Sequence, residues 1–467
     1  MPDLEYVFHP RSIAIVGVSR DPSSYATSSF LEPLIQFDYE GKTYPVNPEV
    51  SEIVGVKAYL GILDIPGPVD YVICCLRAEL TPKLMRECVT KGVKVIQFFT
   101  SAFSETGREK GIRLEREIVE IARQGGIRVI GPNCMGIYCP SSRISFDASF
   151  PKESGSVGFL CQSGGNAIEL VQLGDARGIR FSKVVSFGNA CDLNEADFME
   201  YFAHDPQTEV IASYLEGTKE GGRFINALRE TASAKPIIML KGGEGEAGIE
   251  AVASHTGALA GNHAVWDSLS RQLGIMQVYD LEELVDLLLL FQHSKPPKGR
   301  RVGLVGTGGG RGVLATDSCE REGLAVPPLP EAVRRKLREI APEETYPGTS
   351  VRNPVDSAGM DWNPDIFSQI LKTIADYDGL DFILTYTRVT FGTEKVAKVL
   401  DALTETKKNL NKPVAMVVRH SEEPKTVSYA FEMQNRCHQA GIPTFPLFSR
   451  AARAINRFVR YYEERQS

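Results

Sequence analysis

A single histidine, His255, stands in the run Ala253-Ser254-His255-Thr256-Gly257-Ala258-Leu259-Ala260-Gly261. Over residues 251–261 the largest side chain besides its imidazole is Leu259. A core segment needs more apolar volume, and a rigid surface helix avoids two glycines. The run therefore predicts a light, adaptable loop that presents a ring nitrogen largely unprotonated near neutral pH. Such a nitrogen is a nucleophile, but a lone histidine on a Gly/Ala loop is ordinarily a surface residue. Its meaning depends on what the rest of the chain brings beside it.

Three other segments carry chemistry. In each, a strand-like run enters a Gly/Ser-rich turn that opens a helix: Ser12–Arg20, Val157–Asn166 and Arg301–Gly310. Glycine lets a ligand approach the backbone closely, and the unpaired amides at a helix start favour an anion. One such turn is weak evidence, because many α/β domains use glycine there only for packing. Three in one chain point to phosphate chemistry. Tyr214-Leu215-Glu216-Gly217 ends another strand-like run on a carboxylate. Ligands gather at the carboxyl ends of strands in an open parallel sheet, so Glu216, Ser163 and the His255 segment can converge.

Composition sets the frame. With 467 residues, 43% hydrophobic and 24% charged, the chain reads as a globular protein of about three domains. A net charge of -7 argues against nucleic acid or an anionic membrane as partner. The longest apolar candidate, Leu281–Phe291, is broken by Glu282, Glu283 and Asp286 and falls short of a membrane span. The start, Met1-Pro2-Asp3-Leu4-Glu5, lacks the basic and apolar regions of a signal peptide. The nine cysteines lack zinc-type or CxxC spacing, several in strand-like runs such as Val72–Leu76 read as small buried hydrophobes, and a reducing, cytoplasmic setting fits best.

Short β-branched runs alternate with longer amphipathic ones, which predicts an α/β protein with mostly parallel sheets. Residues 1–148 form a first module, with strands near 12–18, 43–46, 70–76, 93–99 and 127–131 and helices over 81–91 and 106–124. Residues 149–294 form a second, with strands near 156–161, 181–186, 209–215, 236–240 and 275–278. After the linker Lys295–Gly299, residues 300–467 form a third. Its strands fall near 301–306, 380–386, 413–418 and 443–445, and its helices over 311–323, 330–341, 393–410 and 424–440. A further helix starts after Trp362, beyond the turn Arg352–Asp356, where Asp356 is either a functional carboxylate or a cap. In the first turn Gly17 is followed by Ser19, Ser23 and Ser24 rather than two more glycines, and no acid ends the second strand, where Tyr44-Pro45-Val46-Asn47-Pro48 stands. NAD and an oxidoreductase role are disfavoured; another phosphorylated nucleotide is permitted.

Taken in order, these segments resemble the α subunit of the NDP-forming acyl-CoA synthetases, of the ADP-forming acetyl-CoA synthetase type in the succinyl-CoA synthetase superfamily. The resemblance runs through Val16–Arg20, Tyr44–Pro48, Gly131–Gly136, Gln162–Gly165, Ser186–Asn189, Tyr214–Gly217, Ser254–Gly261 and Asn353–Asp356. It implies a Rossmann-like CoA-binding domain followed by two flavodoxin-like parallel-sheet domains. The implied reaction interconverts acyl-CoA, ADP and phosphate with acid, ATP and CoA, through an acyl phosphate and a phosphohistidine. On this resemblance His255 is phosphorylated and Glu216 orients its ring, while Ser163, Gly164, Gly165 and Asn189 hold phosphate. CoA lies along Gly17, Ser19, Arg20 and Asn47, with Thr100, Ser101 and Asn133 nearby, and no metal is held by this chain. A carboxylate on the second ring nitrogen fixes the tautomer and stabilises developing positive charge. A light tether lets the histidine visit both the acyl-phosphate and the nucleotide site.

The resemblance also implies that Mg-ADP or Mg-ATP binds an ATP-grasp domain, and the three modules leave no segment for one. A separate β subunit is expected, in a heterodimer or an α2β2 complex. Two positions depart from the family pattern: Ala26 stands where glycine is usual, and Glu244 and Glu246 precede the His255 run. The acids read as solvated. A non-catalytic CoA-binding regulator or scaffold of the same fold is the alternative function, and the acyl substrate is not legible.

Overall fold

A computed structural model describes residues 4–21, 23–256, 263–306, 308–342, 350–356, 363–389 and 393–466, with backbone alone at 253–256, 393–396 and 466. The described chain divides into two compact units, 1–175 with 180–284, and 176–179 with 285–467. No helix among the described residues is long and apolar enough to cross a membrane.

The first unit opens with the short helix α1 (Glu5–Phe8) and the strand β1 (Ser12–Val16), buried at every position. A π-helical turn, Thr27–Leu31, runs into α2 (Glu32–Gln36). There follow β2 (Lys42–Val46), the small hairpin β3 (Glu52–Ile53) and β4 (Val56–Lys57), and β5 (Tyr71–Cys74). Then come α3 (Thr81–Lys91), β6 (Val95–Phe98), α4 (Glu109–Gly125) and β7 (Arg128–Ile130). Gly92 and Gly126 terminate α3 and α4 at φ 79° and 68°, the left-handed stop that glycine takes without penalty. The predicted start of α4 at 106 moves to Glu109, because Ser104–Thr106 forms a separate 3-10 turn. The sheet order is β2-β1-β5-β6-β7, all parallel, so β1 is the point where the winding reverses.

A second sheet lies in the same unit. It contains β8 (Gly136–Tyr138), β9 (Val157–Cys161), β10 (Phe181–Ser186), β11 (Val210–Leu215), β12 (Ile237–Lys241) and β13 (Met276–Val278). Its helices are α5 (Gly164–Ala176), α6 (Glu195–His204), α7 (Gly221–Ala234), α8 (Glu246–Thr256) and α9 (His263–Leu273). Asn194 and Asp197 form a reciprocal capping box at the start of α6. The order is β13-β12-β11-β9-β10-β8. Its five parallel strands repeat the winding of the first sheet, and β8 adds an antiparallel edge on β10. That edge strand comes from the stretch read in the sequence as part of the first module, where Gly136–Tyr138 is too short to announce itself by alternation.

The second unit takes α10 (Leu281–His293) for most of its length and builds a third sheet. Its elements are β14 (Val302–Val305), α11 (Gly309–Arg321), α12 (Glu331–Ile340), β15 (Ser350–Val351), β16 (Val355–Asp356) and α13 (Pro364–Ala375). The chain continues through β17 (Phe382–Val389), α14 (Thr393–Lys407), β18 (Val414–His420), α15 (Pro424–Gln439), β19 (Thr444–Phe445) and α16 (Phe448–Gln466). The order β15-β16-β14-β17-β18-β19 is again doubly wound, with β15 antiparallel at the edge. Asp356 therefore lies in a strand rather than capping a helix. Asn363 fills that role, its side chain accepting from the amides of Asp365 and Ile366 at the start of α13.

Candidate active site

In the second sheet the strands flanking the reversal point are β9 and β11, paired in parallel with Tyr214 against Cys161. Helices leave in opposite directions from these neighbours, so a crevice opens beyond their carboxyl ends. Ser163, Gly164 and Gly165 stand after β9 at the start of α5, where the first amides of a helix have no carbonyl of their own helix to donate to. The Ser163 hydroxyl accepts from the Asn166 amide at 3.3 Å. Glu216 stands after β11 and is 3% exposed.

Glu216 is fixed from two directions. Tyr214, two residues earlier on the same strand face, donates its hydroxyl to Glu216 Oε1 at 3.1 Å. Burial and the Glu216 charge raise the Tyr214 phenol well above its ordinary range, so it stays a donor. The backbone is held by Gln162, whose Oε1 accepts the amides of Glu216 and Gly217. On the other side the buried Lys241, paired with Leu215 in the ladder, donates to the Glu216 carbonyl at 2.8 Å and to the Gly242 carbonyl. Its ammonium also lies 5.4 Å over the Trp266 ring. Burial lowers the Lys241 pKa to about 8, against the opposing pull of Glu216 and Glu244.

Tyr214 and Gln162 stand in motifs read from the sequence, but neither they nor Lys241 had a role assigned there. The signals were present: Tyr214 shares a strand face with Glu216, and Lys241 is a charged end to the otherwise apolar strand Ile237–Leu240.

His255 enters from β12, the neighbour of β11. The loop expected at 251–261 is, through Thr256, the last turns of α8. The correction has a clear cause. Glu246 complements the helix N-terminus and Ala247, Ala251 and Ala253 are strong helix formers, while the glycines that argued against a helix, Gly257 and Gly261, lie outside the described residues. The His255 side chain and residues 257–262 lie outside the described residues. Helix α8 packs on the Ser104–Thr106 turn. Glu244 and Glu246 are exposed, as a solvated pair should be.

Asn189 is engaged by carboxylates from the turn after β6 and from α4. It is 2% exposed, and its amide donates to Glu105 Oε2 at 2.6 Å and Glu115 Oε2 at 3.1 Å. Glu105 in turn accepts the amides of Ala102 and Phe103, Ala102 having φ 76°. Asn189 thus braces two carboxylates and the turn after β6.

The expected CoA residues gather at the carboxyl edge of the first sheet. Gly17 has φ 99°, and a Cβ there would stand 3.0 Å from the Cys75 carbonyl carbon, so only glycine fits the turn. Ser19 accepts from Asp21 N at 3.2 Å, and Arg20 is exposed beside it. Asn47 spans the turns, donating to Val18 O at 2.7 Å and accepting from Glu49 N at 2.8 Å. Thr100 is buried and donates to Leu76 O at 2.7 Å, whereas Ser101 is exposed. Asn133 sits at φ 58° with its amide on Thr100 O at 3.0 Å. Ala26 has φ -62° and ψ -37°, a helical conformation that makes no demand for glycine. Among the described residues no group of three or more His, Cys, Asp or Glu is placed to hold a metal ion.

Residues 11–140 match the family described as a CoA binding domain, and residues 154–291 the succinyl-CoA ligase like flavodoxin domain. The chain is 39% identical over 353 residues to the acetate–CoA ligase [ADP-forming] II subunit alpha of Pyrococcus furiosus, covering 76% of each. To subunit alpha of enzyme I from the same organism it is 33% identical, covering 98% of this chain and 97% of that one. Against acetate–CoA ligase [ADP-forming] I of Archaeoglobus fulgidus the identity is 33%, and the match spans 98% of this chain but 64% of the relative's length. Among solved structures, the acetyl-coenzyme A synthetase 1 of Ca. Korarchaeum cryptofilum, in complex with phosphate and ADP, superposes with TM-score 0.86 at 32% identity, covering 100% of this chain and 98% of that one.

Proposed function

The chain belongs to the ADP-forming acid–CoA ligases, on the side of their α subunits, and we propose that its turnover runs through His255 with Glu216 as the orienting carboxylate. The observation that carries this reading is the double fixation of Glu216 at the reversal point of the second sheet, beside the Ser163–Gly165 turn and one strand from the helix that bears His255. A carboxylate held by its carbonyl, its amide and one carboxyl oxygen is prepaid for orientation. It lowers the cost of positive charge on an imidazole as phosphate is transferred. The helix start at Gly164 would offer amides to the acyl phosphate, and the edge of the first sheet, from Gly17 to Asn133, would hold CoA.

Mg-ADP or Mg-ATP is assigned to a separate ATP-grasp β subunit. The near-complete coverage of a relative named as an α subunit supports this, as does the partial coverage of a longer single chain. Acting in the cytoplasm, the complex would interconvert acyl-CoA, ADP and phosphate with acid, ATP and CoA. Relatives named as ligases favour turnover over a scaffold role.

The test is phosphate labelling. With the partner subunit and ATP, wild type should acquire acid-labile phosphate and His255→Asn none. Equal labelling of both would overturn the assignment.

A further inference from the structure

The turn after β6 is held in two halves. On the CoA side Thr100 donates to Leu76 O at 2.7 Å, and its carbonyl accepts the Asn133 amide at 3.0 Å. On the other side Glu105 folds back on its own turn, accepting Ala102 N at 2.6 Å and Phe103 N at 3.1 Å. These bonds hold Ala102 at φ 76°, a left-handed bend that strains any residue but glycine. Ser104 is fixed separately, its hydroxyl donating to Glu115 Oε2 at 2.6 Å.

Asn189 locks the two carboxylates together. Its Nδ2 donates to both, its backbone amide donates to Pro132 O at 2.9 Å, and its buried Oδ1 finds no donor among the described residues. A buried oxygen left unpaired carries a cost, so the side chain is held there by the two carboxylates alone. Lys219, three residues beyond Glu216, reaches Glu115 Oε1 at 4.0 Å. The cluster therefore joins the turns after β6, β10 and β11, and it includes the Ser104–Thr106 turn on which α8 packs.

We propose that Glu105 is a positioning residue for phosphoryl transfer: by holding Ala102–Ser104 against Asn189 it makes the seat of α8, the helix that bears His255. The inference rests on the ligase reading above, in which His255 must meet Glu216. Both oxygens of Glu105 are engaged by Ala102, Phe103 and Asn189, so it acts through the helix rather than on phosphate. A displacement of about 1 Å is enough to slow a positioned reaction about 10²-fold.

Amide hydrogen exchange of the full chain, read over Glu246–Val252, tests the seat. Phosphate labelling with the partner subunit and ATP tests its use. Glu105→Ala should speed exchange in α8 about tenfold, leave α7 unchanged, and slow phosphorylation of His255 about ten- to hundredfold. CoA affinity, measured by calorimetry, should not change, because Thr100 keeps its own anchors. Glu105→Gln, which keeps an oxygen for the Ala102 amide, should restore most of both signals. Unchanged exchange in α8 of Glu105→Ala would overturn the proposal. So would a loss of CoA affinity equal to the loss of labelling, because the turn would then serve the carrier. If wild type took up no acid-labile phosphate while α8 still answered to Glu105→Ala, the ligase reading would fall and the positioning role with it.

Discussion

The phenol of Tyr214 donates to Glu216 Oε1 at 3.1 Å, and the two residues stand two apart at the end of one strand. This short bridge sets the direction of a carboxylate that would otherwise rotate. Tyr214→Phe keeps the ring and deletes the donor. The expected result is a fall in kcat of about tenfold with KM for CoA unchanged, as for loss of one hydrogen bond to a charged group. Steady-state kinetics of the reconstituted complex reads it directly.

Glu216→Gln preserves shape and removes charge. On the proposed role, formation of phosphohistidine should slow by about 10²–10⁴, a range typical of a lost proton-handling or orienting group. Rapid-quench labelling separates this from CoA binding, which should be unaffected.

Lys241 provides a pH signature. Its pKa is about 8 in the folded chain, below the ordinary lysine value of 10.5. Between these values the unfolded chain binds more protons at this site, so the Lys241 contribution to stability rises with pH from about 8 towards 10.5, against buried thiols such as Cys74 and Cys134, whose raised pKa values act the other way. In urea unfolding across this window the stability of wild type relative to Lys241→Met should rise with pH, on the order of 1–3 kcal/mol. A difference that stays constant with pH would contradict it.

In the second unit the opposite limb applies. Burial pushes His293 down to about 4 and His438 to about 2, and their rings stack 6.2 Å apart. Both are neutral when folded and protonate when unfolded, so stability present above pH 6.5 is lost as pH falls towards 4. His438 Nε2 also lies 2.7 Å from Thr444 Oγ1. His438→Gln should flatten the acid limb of thermal unfolding for this unit, measured between pH 7 and about 4.5.

Gly17→Ala forces a side chain into φ 99° and against the Cys75 backbone at 3.0 Å. A loss of about 1–3 kcal/mol in urea unfolding is expected, together with weaker CoA binding.

The sequence made the skeleton legible because its signals are local. The strand at 181–186 and the helix at 81–91 appear as read, since β-branched runs and amphipathic periods are properties of neighbours along the chain. Glu216 was legible as a carboxylate ending a strand. What could not be read is what lies across a sheet. The Tyr214 phenol, the Gln162 amide oxygen and the Lys241 ammonium matter because β9, β11 and β12 are adjacent, and strand order is not written in any single run. The same holds for Asn189, whose neighbours Glu105 and Glu115 come from far up the chain. The His255 segment misled because two glycines outweighed the alanines and the acidic helix start ahead of them.

The antiparallel edge strand Gly136–Tyr138 governs how the protein can be taken apart. It is supplied by the segment that precedes the second sheet, and it covers the outer side of Phe181–Ser186. A fragment begun at residue 154, where the ligase-like match starts, would leave that strand's amides and carbonyls unpaired. Such a bare border recruits other chains. Dissection should therefore retain residues from about Gly131 onward, and fragments cut later should be found in the pellet rather than in solution.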